Sequence, residues 1–352
     1  MIKKQFPELY YFAPTIIVGK EGQYYYAMKY KDKYPFVKSS DASEVIQSCV
    51  NALPDGGKIF IRSGTYYLLS PITISSAGIV IEGEGPSTVL TQPDETNLPQ
   101  FIKLQGPESS YEMFFTLRNI RLEGNYLNNT GTNGIEVPSG YSVHYVWIEN
   151  CWIHAFPGTC VVQRGRVWYV RGNYITESKS ENGTYYVSGA DSTYEQNQIG
   201  GAGGGAVFKA STLGSSVFVG NKLFGAKDYI MHLDCPVNMV IAGNIIGGRS
   251  PIATTACIYI VCYNEAYGKR NIISSNYIYQ TDGDGVRLRG SEVKDNIITT
   301  NIFYDIGAYA VREYDGTEDY NIVFGNKMIN IGLSPAINLS GVNSVDEHNY
   351  VH

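Results

Sequence analysis

The chain has 352 residues, of which 27 are Lys or Arg and 33 are Asp or Glu, so its formal net charge is −6. Charged residues make up 17% of it, against about 25% in an average soluble protein, while Gly (38) and Tyr (29) are abundant. A negative chain without clusters of Lys and Arg is poorly suited to neutralise a phosphate backbone, and its apolar runs are shorter than a membrane span. We therefore expect no nucleic acid partner and no membrane span.

Residues 1–40 form a distinct first segment. They hold seven Lys against Glu8, Glu21 and Asp32, a local charge of +4, together with seven Tyr. This segment is either a head that docks onto another protein or a small hairpin on the end of the following domain. Runs such as Gln23 to Tyr26 would supply its strands.

A short helix is predicted over residues 42–53. Asp41 is its N-cap, Glu44 follows three positions later, and the apolar residues recur at helical spacing as Val45, Ile46, Cys49, Val50 and Leu53. The turn at residues 54–57 ends the helix, and a strand begins at Lys58.

The residues after this helix carry a family signature. The chain continues with Gly64-Thr65-Tyr66, then Ser70-Pro71-Ile72, and then a glycine-punctuated strand at residues 79–85. A capping helix, a glycine turn, a strand and this phrase, in this order, resemble the pectate lyase superfamily. The resemblance covers about residues 41–352 and implies an all-β, single-stranded right-handed parallel β-helix, capped at its N-terminal end by the helix. In architecture the chain also resembles virus tailspikes.

An internal repeat supports this fold class. An Asn followed two positions later by an apolar residue returns every 23 to 32 residues, at Asn173, Asn197, Asn221, Asn244, Asn276, Asn301, Asn326 and Asn349. A period near 24 with strand-type alternation predicts one solenoid coil per repeat, and so about ten or more coils. Equivalent residues would lie about 4.8 Å apart, so these Asn side chains should form an internal hydrogen-bonded ladder. The alternative is that they are surface turn residues.

The same numbering predicts which side chains face outward. Positions −4, 0 and +2 relative to each Asn share a strand parity and are expected to point inward, so position −3 should point outward. Five consecutive coils carry an apolar residue there: Phe218, Ile241, Ile273, Ile298 and Val323. Because such a stripe is too large to leave in water, a loop, the N-terminal segment or a neighbouring subunit should cover it, and we predict a homo-oligomer, a trimer as in tailspikes.

Farther along each repeat, a polar ribbon is predicted to cross about four coils, a length of roughly 15 to 20 Å that accommodates several sugar units. It contains candidate substrate-binding residues: His232, Tyr259, Arg289, Arg312, Glu313, Tyr314 and Asp315. It also contains the catalytic candidates Asp234, Asp282, Asp284 and Arg287. The aromatic side chains Trp147, Trp152, Trp168, Tyr185 and Tyr186 are further candidates for stacking on sugars.

Two reaction chemistries fit the ribbon. Inverting glycoside hydrolysis requires two carboxylates about 6.5 to 9.5 Å apart, for which the sequence offers Asp234 with Asp282 or Asp284. A polysaccharide lyase instead requires a cation or an Arg to acidify the carbon beside a uronate carboxyl group, and an Arg or Lys base, for which Arg287, Arg289 and Arg312 are available. A third reading is that these are solvated surface ion pairs.

Cofactors and disulfides are not predicted. The Asp282-Gly283-Asp284-Gly285 turn offers oxygen ligands for calcium, but acids in tight turns more often serve only the turn, so we predict no metal. The six Cys show no paired spacing and are expected to be buried thiols.

The leading functional hypothesis is an extracellular or virion-associated β-helix that recognises a surface polysaccharide or glycoprotein glycan. It would be a spike or fibre component with depolymerase activity, outside the cell or on a virion surface and without a conventional signal peptide. One alternative is a free polysaccharide lyase or inverting glycoside hydrolase. The other is a purely structural appendage or capsid protein.

Overall fold

The computed structural model describes residues 16–248, 252–264 and 267–352. The first fifteen residues of the predicted head lie outside this range. Residues 16–39 form three strands, β1 (Ile16–Glu21), β2 (Tyr24–Lys29) and β3 (Val37–Ser39). β2 pairs antiparallel with β1 on one side and with β3 on the other, and β1 also pairs in parallel with the first strand of the coils, with Ile16 opposite Ile59. This part of the head therefore extends a sheet of the solenoid.

The predicted helix is present as α1 (Ala42–Asn51), two residues shorter than expected. The Asp41 carboxylate accepts a hydrogen bond from the backbone N–H of Ser43 at 2.8 Å, which satisfies one of the free donors of the first turn. The apolar side of the helix is buried, and Gln47 exchanges hydrogen bonds with the backbone of Thr73 in the first coil. The helix thus covers the apolar end of that coil, as predicted.

The rest of the chain winds into about twelve parallel coils, each giving one strand to each of three sheets. The strands of the first six coils are β4 (Gly57–Ile61), β5 (Gly64–Tyr67), β6 (Ile72–Ile74), β7 (Ile79–Gly83), β8 (Thr88–Thr91), β9 (Gln100–Leu104), β10 (Ser110–Arg118), β11 (Arg121–Glu123), β12 (Asn133–Glu136), β13 (Ser142–Glu149), β14 (Trp152–Phe156), β15 (Val161–Arg166), β16 (Trp168–Arg171), β17 (Tyr174–Ser178), β18 (Tyr185–Ala190), β19 (Thr193–Glu195), β20 (Gln198–Ala202) and β21 (Ala206–Gly214).

The remaining coils contain β22 (Val217–Val219), β23 (Lys222–Phe224), β24 (Tyr229–Asp234), β25 (Val240–Ala242), β26 (Ile245–Gly247), β27 (Ala256–Val261), β28 (Ile272–Ser274), β29 (Tyr277–Thr281), β30 (Asp284–Arg289), β31 (Ile297–Thr299), β32 (Ile302–Ile306), β33 (Val311–Glu313), β34 (Ile322–Phe324), β35 (Lys327–Ile331), β36 (Ile337–Asn338), β37 (Val345–Glu347) and β38 (Tyr350–Val351). Sheet A contains β4 and every third strand after it, sheet B contains β5 and every third strand, and sheet C contains β6 and every third strand.

The predicted Asn ladder is confirmed. From Asn173 to Asn349, the side-chain amide of each Asn donates a hydrogen bond of 2.9 or 3.0 Å to the amide oxygen of its counterpart in the next coil. The same oxygen accepts the backbone N–H of the preceding Asn, and each amide nitrogen also donates to a backbone carbonyl. A buried amide is stable only when its donors and acceptors are satisfied, and this arrangement satisfies them.

A second, unpredicted ladder lies at the corner between sheets C and A. Asn271 donates to the amide oxygen of Asn296 at 2.8 Å, and Asn296 donates to that of Asn321 at 2.9 Å. These residues precede the first-ladder Asn by five positions in three successive coils, so the signal was present in the sequence.

The predicted outward stripe is wrong. Its five residues, Phe218, Ile241, Ile273, Ile298 and Val323, are at most 1% exposed and form part of the core. The cause is the residue immediately before each ladder Asn, such as Ser275 (φ 56°) or Thr300 (φ 55°), which adopts a left-handed conformation. This corner interrupts the extended chain, so strand parity does not carry across it, and position −3 points inward while −4 points outward. An oligomer contact through these five residues is therefore excluded.

The cysteine prediction is corrected in part. Cys235 and Cys262, 27 positions apart, form a disulfide that joins the chain just after β24 to the chain just after β27. The other four cysteines are buried free thiols, as expected. No helix in the described residues is long and apolar enough to cross a membrane.

Candidate functional site

Four side chains line up on the outer face of sheet C. His232 on β24 lies opposite Tyr259 on β27, which lies opposite Arg287 on β30, which lies opposite Arg312 on β33. At one strand spacing per coil, this column is about 14 Å long. Side chains alternate along a strand, so the neighbouring Leu233, Ile260 and Leu288 are in the core.

Aromatic rings make up one end of the column. The rings of Tyr229 and Tyr259 stack with their centroids 4.9 Å apart and their planes 11° apart, and the His232 ring lies 4.8 and 5.1 Å from them. His232 Nε2 is 3.0 Å from a carboxylate oxygen of Asp234. Burial and the adjacent Tyr259 raise the pKa of the Tyr229 hydroxyl, so that hydroxyl keeps its proton and can donate a hydrogen bond.

Asp284 holds Arg287 in place from below. Its carboxylate is fully buried and accepts a hydrogen bond from Arg287 Nε at 2.5 Å. Its other oxygen accepts the backbone N–H of Tyr309 at 3.1 Å. Asp284 was predicted as a catalytic carboxylate facing the ligand, but this burial makes it a positioning residue for Arg287.

The other end of the column is a cluster of arginines around one tyrosine. The guanidinium carbons of Arg312, Arg287 and Arg289 lie 4.5, 4.9 and 5.2 Å from the centre of the Tyr314 ring. Arg312 also lies 5.1 Å from the Tyr309 ring, a residue that the sequence analysis did not single out. A guanidinium over an aromatic ring is attracted by the negative face of the ring, so these contacts hold the arginines around Tyr314.

Asp315 and Arg289 lie at the edge of this cluster. Arg289 Nε donates to both oxygens of Asp315 at 3.2 Å, and the hydroxyl of Tyr263 donates to one of them at 2.6 Å. The Tyr263 hydrogen bond, followed by Arg289, holds the pKa of the Asp315 carboxyl below its usual range. Asp315 therefore stays ionised and keeps Arg289 next to Tyr314.

Glu313 does not face a ligand, in contrast to its predicted role. It is 2% exposed and accepts hydrogen bonds from the amide of Asn321, the hydroxyl of Ser344 and the backbone N–H groups of Ser340 and Gly341, at 2.6 to 2.8 Å. Because Arg312 points outward on β33, the next residue must point inward. Glu313 instead satisfies the donors of the next coil.

The predicted carboxylate pair is not assembled. Asp234 lies opposite Val261, and Val261 lies opposite Arg289 at the end of β30. Asp284 is at the start of β30, so the two acids lie about 16 Å apart along the strand direction alone. Asp282 lies two residues before Asp284, outside β30, and so at the same far end of that strand. Neither pairing meets the separation that inverting hydrolysis requires.

Asp282 instead lines a separate cavity of about 220 Å³ at the corner between sheets B and C. Asp305 and Asn330 also line it, and the Asn330 amide donates to Asp305 at 2.7 Å. Asp282 is exposed whereas Asp284 is buried and engaged, so the two do not converge as calcium ligands. Within the described residues, no group of three or more His, Cys, Asp or Glu side chains could hold a metal ion.

The other aromatic candidates divide between core and surface. Trp168 and Tyr185 are fully buried and cannot contact a sugar. Trp147 on sheet A stacks on Tyr169 at 5.6 Å, and Trp152 on sheet B is 43% exposed. They lie on different faces of the solenoid from the column on sheet C.

The comparisons with known proteins agree with this architecture. The Geobacillus virus E2 ORF18 structure matches with a TM-score of 0.59 and 16% identity over 88% of this chain and 58% of that chain. The chain has the fold of the pectate-lyase-like right-handed parallel β-helices. A mutant tailspike protein of E. coli bacteriophage HK620, in complex with a pentasaccharide, matches with a TM-score of 0.55 and 15% identity over 89% of this chain and 63% of that one.

The chain is also similar to the DFA-IIIase of Arthrobacter chlorophenolicus A6 in complex with GF2. It has a TM-score of 0.59 and 15% identity, over 89% of this chain and 88% of that chain. By contrast, this chain spans less than two thirds of the length of the two phage proteins. No family model matches the sequence, and no curated protein matches it.

Proposed function

We propose that this β-helix recognises a surface polysaccharide through the outer face of sheet C. We call this surface the tyrosine–arginine face and define it by Tyr229, His232, Tyr259, Arg287, Arg289, Arg312 and Tyr314. The observation that carries the proposal is the alignment of His232, Tyr259, Arg287 and Arg312 on four successive coils. Rings and guanidinium donors repeating at one strand spacing suit a linear chain of sugars, which offers apolar faces and hydroxyl acceptors. Neighbours of the same fold include a tailspike and a DFA-IIIase in complexes.

Depolymerase activity is the second part of the proposal. The 3.0 Å contact between His232 and Asp234 favours it, because a carboxylate beside an imidazole orients it for proton transfer. A free lyase with Arg287 beside the scissile unit is the alternative enzyme. The hydrolase pair proposed from sequence has no support in the geometry.

This function suits a spike or fibre component that is located at the cell exterior or on a virion. The disulfide supports an oxidising environment, since such bonds persist mainly outside the reducing cytosol.

The test is a glycan array followed by assays of bound polysaccharides for new reducing ends and for the unsaturated product of elimination. His232→Ala and Arg287→Gln should each weaken binding about tenfold or more, since charge-assisted hydrogen bonds contribute about 1.5–3 kcal/mol. The control is Arg171→Gln, an exposed arginine on sheet A that should leave binding unchanged. If the array contains no ligand, or if both face variants bind as the unaltered chain does, the proposed site is wrong.

A further inference from the structure

The charges on the tyrosine–arginine face are not equally satisfied. Arg287 is paired with the buried Asp284, and Arg289 is paired with Asp315. Arg312 is different, because within the described residues it contacts the Tyr309 and Tyr314 rings but no carboxylate. Its positive charge is therefore the one on this face that no acid of the described chain neutralises.

Part of the Arg312 guanidinium group is buried. The Nε atom of Arg312 is buried and has no hydrogen-bond partner among the described residues. A buried donor without an acceptor costs free energy, and more so on a charged group. A partner that restores the hydrogen bond and the charge balance would recover this cost when it binds.

The surroundings hold the guanidinium ready for such a partner. The guanidinium carbon lies 5.1 Å from the centre of the Tyr309 ring and 4.5 Å from that of the Tyr314 ring, and these two contacts limit the rotamers of the side chain. Arg287 lies beside it on the adjacent strand and is fixed by Asp284. Two guanidinium groups about one strand spacing apart can contact the same group of oxygen atoms.

The chemistry of that group follows from the donors. A guanidinium edge matches the paired oxygens of a carboxylate, sulfate or phosphate, and these groups also supply the missing negative charge. A neutral hydroxyl would satisfy the hydrogen bond but not the charge. Tyr229 and His232 at the other end of the column are half-buried and provide ring surfaces for the sugars that carry the anion, while Tyr259 is only 6% exposed and supports them from beneath.

We propose that Arg312, with Arg287 beside it, forms an anion subsite, and that the polysaccharide bound by this protein is acidic, bearing a carboxylate or an ester of sulfate or phosphate. This inference rests on the proposed function, because it names the class of glycan for the same face.

The first experiment observes the subsite without any glycan. The protein is labelled with ¹⁵N-arginine, and the Nε–H signal of Arg312 is identified by its loss in Arg312→Lys. Inorganic sulfate, inorganic phosphate and the monosaccharide glucuronate are then titrated separately. At least one should shift this signal saturably, while the Nε–H signal of Arg171, whose side chain is 58% exposed, should not move. Absence of a saturable shift with all three anions would overturn the subsite.

The second experiment identifies the source of the anion. Binding is measured to a uronic-acid polysaccharide and the same polymer after carboxyl reduction, to dextran sulfate and dextran, and to a phosphate-bearing polysaccharide before and after dephosphorylation. One acidic member should bind about tenfold or more tightly than its neutral counterpart. Arg312→Gln should lose that preference at an unchanged unfolding midpoint, and Arg171→Gln should keep it.

The outcomes separate the two proposals. If neutral and acidic members bind equally well, or if Arg312→Gln keeps the preference, the acidic-glycan inference is wrong while glycan recognition stands. If simple anions shift the Arg312 signal but no polysaccharide binds, the subsite stands and the proposed glycan function falls.

Discussion

At the scale of single residues, the interior depends on amides that act as both donors and acceptors. Asn276 donates to Asn301 and to the carbonyl of Ile241, and its own oxygen accepts two N–H groups of Asn244. An apolar residue of similar size would remove one hydrogen bond from each of these four buried groups. The polar column is thus a structural requirement rather than a sign of chemistry.

Asn276→Ala should lower the free energy of unfolding by about 3–5 kcal/mol, because buried groups lose their partners and a cavity is left. Urea unfolding monitored by circular dichroism measures this change. The control is Asn182→Ala, whose exposed side chain lies in a turn, and which should change stability by less than about 0.5 kcal/mol. Similar stabilities for the two variants would show that the ladder contributes little.

The positions of the ladder residues can be predicted from the sequence, but the orientation of the acidic residues near the site cannot. The Asn period was visible because every coil repeats it. The inward orientation of Asp284 and Glu313 was not visible, because it depends on where each strand starts relative to the preceding corner. Both carboxylates are stabilised by backbone N–H groups or side chains from other coils, which no local pattern identifies.

At the scale of elements, the corners between sheets determine which side chains reach the surface. A left-handed residue such as Ser275 or Thr300 separates each short strand of sheet A from the ladder Asn. Gly occupies the same place in other coils, as at Gly220 and Gly243, where a positive φ costs it little. In a continuously extended segment the apolar stripe would lie at position −3, and the left-handed corner moves it by one residue to position −4.

The disulfide between Cys235 and Cys262 joins neighbouring coils next to Asp234 and Tyr263. Closing a 27-residue span should stabilise the fold by about 3.5 kcal/mol through the lost entropy of the unfolded chain. Cys262→Ser should therefore lower the unfolding midpoint, and a reducing agent should lower that of the unaltered chain but not that of the variant.

Thiol titration in denaturant provides the independent count for this bond. Four thiols are expected before reduction and six after it, because the other four cysteines are free. Six reactive thiols in the protein as purified under air would contradict the disulfide.

At the scale of the whole molecule, the solenoid still presents an apolar column, although not the predicted one. The outward residues on the last coils of sheet A are exposed by 37 to 43% and are Ile272, Ile297, Ile322 and Val345. Aligned β-branched residues on an outer sheet are an unfavourable surface to leave in water. Side-by-side packing of identical chains would bury them, so assembly remains our expectation, now through this column.

Ile297→Lys combined with Ile322→Lys should therefore weaken assembly without unfolding the chain, since both side chains point outward. Light scattering coupled to size exclusion should give three times the chain mass of 38.9 kDa for the unaltered protein and a lower mass for the double variant. Asn182→Lys, on an exposed turn, should assemble normally. A monodisperse monomer of the unaltered chain would rule out assembly through this column.

The sequence by itself determined the coil period, the capping helix and the amide ladder, because each rests on local spacing that stacking repeats from coil to coil. Only the tertiary structure decided which side of each strand faces out, that Asp234 and Asp284 stand apart, and that three arginines surround Tyr314. The physical reason is that these relations depend on corner dihedrals and on alignment between coils about 25 residues apart. Neither is encoded in the spacing of any single segment.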